Sequence, residues 1–173
     1  MQVSIRNNWI SCKGSSKVKD MNEVDVLEVE GKFFTFTQKK FVKSLDGNLL
    51  YMVRNKFWSF FVKKAFVFDK DEKQVALVKR KFFSLRDRYF IESSLGALEI
   101  TGNILGFDYH ILLNGEEVGH ISRKISLRDS FVLDLKDGLD LPFFVALVIA
   151  IDNITDRRRD ESSVSFSSSS SNY

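Results

Sequence analysis

The chain has 173 residues, 44% of them hydrophobic, with 26 basic against 23 acidic side chains and a formal net charge of +3. That length sets one domain as the default, with ample apolar material for a core, and so small a basic excess does not point to nucleic acid. The single cysteine, Cys12, excludes an intramolecular disulfide and fits a reducing compartment.

The N-terminus reads as cytoplasmic rather than secreted, because Arg6, Asn7 and Asn8 arrive before any apolar run of useful length. From Ile5 onward one pattern recurs. IRNNWISC starts at Ile5, VEGKFFTF at Val29, VRNKFWSF at Val53 and VKRKFFSL at Val78, followed by weaker copies at Ile100 (ITGNILGF) and Ile121 (ISRKISLR). The starts are 24, 24, 25, 22 and 21 residues apart. A fixed period means one supersecondary unit used repeatedly. About twelve residues per strand and turn is usual in all-β proteins, so each unit predicts two strands and six units predict twelve.

Turn signals fall between the copies. Asp46-Gly47 and Asn114-Gly115 favour the type I′ hairpin turn, and charged tips occupy 20–23 and 69–73. Alternation is imperfect. In QVALVKRK, Val75, Leu77 and Lys79 share one face, and Ala76, Val78 and Arg80 the other. A closed barrel with a filled interior and a partly covered outside reads this way, and closure removes exposed edges. The pairs Phe33-Phe34, Phe57-Trp58 and Phe82-Phe83 recur at one repeat position. Two large neighbours cannot both face inward on a regular strand, so a bulge re-aims one or one covers a loop. Packing is their simplest role; exposed rings for stacking bases or entering lipid are the alternative.

His110 and His120 flank the Asn114-Gly115 turn. A regular two-residue hairpin pairs His110 with Gly119 and points the two rings to opposite sides; a longer loop brings them face to face. Neither arrangement makes more than a thin metal site with Asp108, and no metal or cofactor is expected. Asp134, Asp137 and Asp140 read as a solvated run before a helix N-terminus rather than a calcium loop, since a dozen apolar residues follow.

From Leu141 to Ile151 the chain reads LPFFVALVIAI. This is too short to span a membrane, which takes about twenty residues. Apolar all round, it predicts a surrounded helix, capped by Asp140 and with Pro142 in its first turn; a further strand is the alternative. From Leu141 to Ile154 it would reach about 21 Å. The expected barrel domain is 1–156 with its helix at about 140–154. Residues 157–173 are expected as a tail, charged at Arg157, Arg158 and Arg159 and then serine-rich, with 162–173 disordered.

Together these elements resemble the LURP-one-related (YxjI-type) family of the tubby-like superfamily, which also neighbours the phospholipid scramblases. The resemblance rests on KFFTF, NKFWSF and KRKFFSL, on DYHILLNGEEVGHISRK (108–124), on SLRDSFVLDL (126–135) and on LPFFVALVIAIDNI (141–154). It implies a twelve-stranded barrel around a central C-terminal helix, and it does not imply an enzyme. Phosphoinositide binding by tubby domains and lipid movement by scramblases are what it suggests about function. This chain lacks the cysteine-rich acylation stretch and proline-rich leader of scramblases.

No zinc motif, phosphate-cradling glycine loop or nucleophile elbow is present, and Cys12 has no base nearby in sequence. The usable lead is basic. Lys79, Arg80 and Lys81 with Arg86 and Arg88 form one set, Arg123, Lys124 and Arg128 a second, and Lys39, Lys40 and Lys43 a third. Matching positions in repeats of a closed barrel converge on one rim or side, where they would attract anionic headgroups; an ordinary solvated exterior is the plainer alternative. The expectation is an all-β closed barrel acting as a non-enzymatic binding module for anionic phospholipid at the inner membrane surface. A protein–protein adaptor and a scramblase-like lipid handler are the alternatives. Partners are therefore an anionic lipid surface or a protein, not nucleic acid.

Overall fold

The computed structural model describes residues 1–6, 15–31, 39–55, 64–80, 87–103, 108–124 and 130–167; for 6, 87, 123, 124, 130 and 155–167 it describes the backbone alone. Twelve strands run in chain order: β1 (Gln2–Arg6), β2 (Ser15–Asp20), β3 (Asp25–Gly31), β4 (Lys40–Lys43), β5 (Leu49–Asn55), β6 (Lys64–Asp69), β7 (Gln74–Arg80), β8 (Asp87–Ser93), β9 (Gly96–Asn103), β10 (Asp108–Leu113), β11 (Glu116–Lys124) and β12 (Ser130–Leu135). Each pairs antiparallel with its chain neighbours, and β1 pairs with β12, with Val3 opposite Leu133 and Ile5 opposite Phe131. The expected closed barrel is what forms.

Three hairpin turns are copies of one device. Asp20, Ser44 and Asp69 sit at equivalent places. The amide of each donates to the carbonyl four residues on, at 2.9 Å, and its carbonyl accepts the amide three residues on, at 3.0–3.2 Å. Asp20 Oδ1 accepts from the amides of Asn22 and Val24, and Asp69 Oδ1 from those of Asp71 and Lys73. Short polar side chains holding their own backbone is how such residues define turns. The residue before the last is left-handed: Glu23 (φ 62°), Gly47 (φ 82°) and Glu72 (φ 61°). The turn at Asp46-Gly47 is thus not the expected type I′, because only its glycine has positive φ. Asn114 and Gly115, both positive, do adopt it.

A bulge follows the same rhythm. Register shifts occur at Val18/Lys19, Val42/Lys43, Val67/Phe68 and Ile111/Leu112. The extra residues on the partner strands are Val26, Leu50, Val75 and Val118. Each is apolar and turned toward the core: Val118 is buried, and the other three pack against the core from half-buried positions. A bulge breaks the period of two, which is why alternation reads poorly in this sequence. The outer wall also carries half-buried Phe41, Met52, Phe66, Phe68 and Leu77, so both faces of β4–β7 are partly apolar.

The interior is filled by one helix, α1 (Leu141–Ser167). Asp140 caps it, accepting from the Phe143 amide at Oδ1 and from the Phe144 amide at its carbonyl, both at 3.2 Å. Every residue from Phe143 to Ile154 is buried. They face Val3, Ile5, Val18, Val42, Val53, Val67, Val78, Ile91, Ile100, Ile111 and Leu133 of the wall within one core. The described buried stretch runs to Ile154, where the sequence places the helix end, and the helix backbone continues to Ser167, into the stretch expected as tail. Extending an established helix costs one residue's ordering per bond gained.

Tyr51 ties the wall to the helix start: its hydroxyl donates to Asp140 Oδ2 at 2.5 Å and its ring meets Phe143 edge-on at 5.7 Å. Burial first, and then the Asp140 hydrogen bond and charge, push the phenol above its usual range. The folded state therefore holds the phenolic proton more tightly than the unfolded chain. This stabilisation is complete below the unfolded phenol value of about 10 and is lost as pH rises toward the folded value. Tyr51→Phe is expected to cost about 1 kcal/mol at neutral pH, and urea denaturation at rising alkaline pH should show the gap to wild type closing.

Candidate functional site

The barrel has two unlike ends. At one, tight turns join β2–β3, β4–β5, β6–β7, β8–β9 and β10–β11, and β12 leads into the helix. The segments 20–25, 44–48, 69–73, 94–95, 114–117 and 136–140 carry eleven carboxylates against Lys70, Lys73 and Lys136. At the other end lie the strand ends Arg6, Ser15, Gly31, Lys40, Asn55, Lys64, Arg80, Asp87, Asn103, Asp108, Lys124 and Ser130. The segments between them, 7–14, 32–38, 56–63, 81–86, 104–107 and 125–129, lie outside the described residues. In sequence they hold seven Lys or Arg (13, 32, 56, 63, 81, 86 and 128) against one carboxylate, Asp129. They also hold both tryptophans, Trp9 and Trp58, and nine of the seventeen phenylalanines. The small net charge thus conceals an uneven partition in sequence between the tight turns and the longer connections.

The helix emerges among these strand ends. Just inside them, Asp152 and Asn153 are buried, 5% and 3% exposed, beside Asn55 at 3%. Lys40, at the start of β4, reaches inward: its Nζ lies 4.0 Å from Asp152 Oδ2, with the two side chains 15% and 4% exposed. A polar collar therefore closes the apolar core where the chain leaves it. Asn153 Nδ2 is buried without a hydrogen-bond partner.

The sequence-nominated residues divide. Lys79 points outward on β7 and its Nζ is ion-paired with Glu92. Arg80 follows on the inward-facing register of Ala76 and Val78, half-buried at the rim. The β11 end places Arg123 and Lys124 on the same rim, four strand spacings from β7 around the barrel, or ~19 Å. Lys81, Arg86 and Arg128 lie outside the described residues, as do Phe33-Phe34, Phe57-Trp58, Phe82-Phe83 and Cys12. Lys43 pairs with Glu30 on the wall. Lys17 pairs with Glu28 at 2.9 Å, and the Glu28 carboxyl is held below its usual range, first by the Ser15 hydrogen bond and then by Lys17. Such cross-strand pairs balance charge along the described wall.

The acidic run disperses onto separate partners. Asp134 accepts from Gln2 at 3.4 Å, Asp137 from the Met1 amino group at 3.0 Å, and Asp140 caps the helix. The histidines differ from the leading expectation. The Val118 bulge shifts the register so that His110 faces His120 across β10–β11, with ring centroids 5.1 Å apart. A bulge beside an already tight turn leaves no sequence signal except the adjacent apolar residue.

A closed twelve-strand antiparallel barrel threaded by a C-terminal helix defines the tubby-like class. Within it the family is specific: residues 1–152 match the family model for LURP-one-related proteins, and the chain belongs to that family. No curated protein sequence matches it. Among the described residues no helix is long and apolar enough to cross a membrane.

Proposed function

We propose that this protein is a non-enzymatic binding module that docks its helix-exit rim onto anionic phospholipid headgroups at the cytoplasmic membrane surface. What supports this reading is the partition of residues among the connections: in sequence, seven Lys or Arg and eleven aromatic residues fall in the segments joining the strand ends at the helix exit, and eleven carboxylates in the tight turns and the lead into the helix. Such a partition favours one orientation on a charged surface. Basic residues near an anionic leaflet contribute about 1 kcal/mol each, and aromatic side chains favour the headgroup level. Both histidines bond to carboxylates.

The test is sedimentation with vesicles of neutral or anionic phospholipid at low and physiological salt. Binding to anionic vesicles alone is expected, weakened by salt as screened charge requires. Reversing Arg80, Arg123 and Arg128 to Glu should weaken it at least ~tenfold. Equal binding to neutral vesicles, or none, contradicts the reading and shifts attention to a protein partner.

A further inference from the structure

The outer wall of β10–β11 gathers the chain's only two histidines with two carboxylates. Asp108 and His110 share the outer face of β10, because Tyr109 and Ile111 between and beyond them are buried, 2% and 0% exposed. His120 stands opposite His110 through the Val118 bulge. The two rings are tilted by 52°. Asp108 Oδ1 is hydrogen-bonded to His120 Nε2, and Glu117 Oε1 lies 2.9 Å from His110 Nδ1. That contact holds the Glu117 carboxyl below its usual range. One ligand atom each from Asp108, His110 and His120 lies within 4.8 Å of the others, at exposed or half-buried positions. On β12, Asp134 pairs with His120 in register and adds a third carboxylate nearby.

We propose that Asp108, His110 and His120 form a three-ligand site for a zinc-class divalent cation on the barrel wall. Two imidazoles and a carboxylate are a zinc donor set, with bonds of about 2.0–2.2 Å. A tetrahedral site of that size has donor atoms about 3.4 Å apart, so exposed side chains need only small rotations to close on the ion. The cation takes the place of the proton between Asp108 and His120. Glu117 on Nδ1 leaves His110 Nε2 to the metal and fixes the ring's tautomer, as carboxylates do behind metal-bound histidines. Three protein ligands leave a fourth position for water. Magnesium and calcium, which prefer all-oxygen shells, do not suit this site.

Calorimetric titration of the full chain with zinc, and with magnesium as control, tests this. One zinc per chain and no magnesium binding are expected, with a zinc-dependent rise in melting temperature. His110→Gln and His120→Gln should each lose at least ~tenfold in zinc affinity and Glu117→Gln about tenfold, with metal-free melting unchanged because the positions are on the surface. Cys12→Ser should bind as wild type, separating the site from the one thiol. Absence of zinc binding by the wild-type chain, or binding retained when both histidines are replaced, overturns the proposal.

Discussion

Ala146→Asp should abolish folding. Ala146 is 0% exposed, as are Phe144, Val145 and Leu147 around it, and the helix is ringed by the barrel wall. An unpaired charge taken from water costs several kcal/mol even after relaxation, a large share of the about 5–15 kcal/mol that holds a domain together. Ala146→Leu is the control: overpacking should cost about 1–3 kcal/mol and keep a cooperative melt. Circular dichroism through thermal denaturation distinguishes the outcomes. A soluble Asp variant with a cooperative transition would show that this helix does not fill the barrel.

Lys40→Met should destabilise the protein by about 3 kcal/mol, because it removes the Lys40 cation from beside the buried Asp152 carboxylate. Asp152 is 4% exposed at its side chain and Lys40 15%, so neither charge is well solvated. The double variant Lys40→Met with Asp152→Leu should recover most of that loss, since replacing both members of a buried pair with apolar groups is often neutral or stabilising. Urea denaturation of the four species forms a thermodynamic cycle. Additive losses would mean that the two side chains do not act on each other, and the collar would lose its central contact.

Much of this barrel is written locally. The six-fold recurrence fixes two strands per unit, and LPFFVALVIAI has no polar face to leave outside. Asn114-Gly115 names its turn. The bulges at Val26, Leu50 and Val75 escape because each extra residue is apolar beside an apolar neighbour, so hydrophobicity does not say which one is out of step, and the one at Val118 is masked by the tight turn beside it. The His110–His120 pairing is lost with them, since one residue of register decides it. Lys40 and Asp152 meet across 112 positions of sequence through the barrel alone. The partition of charge among the connections is also topological. KFFTF and NKFWSF resemble strand interior when read along the chain, but they fall between strand ends that share a rim. Lys79 and Lys43, members of the basic sets in sequence, are ion-paired on the wall with partners that sequence distance conceals.

Both tryptophans, Trp9 and Trp58, belong to the rim connections, which makes them reporters of the docking surface. The decisive measurement is their fluorescence on addition of anionic vesicles whose acyl chains carry bromine. The account predicts a blue shift and quenching that require anionic lipid, diminish with salt and are lost in the Arg80→Glu, Arg123→Glu, Arg128→Glu variant. Vesicle binding without a shift or quenching would place the contact elsewhere on the barrel and contradict the rim as the membrane face.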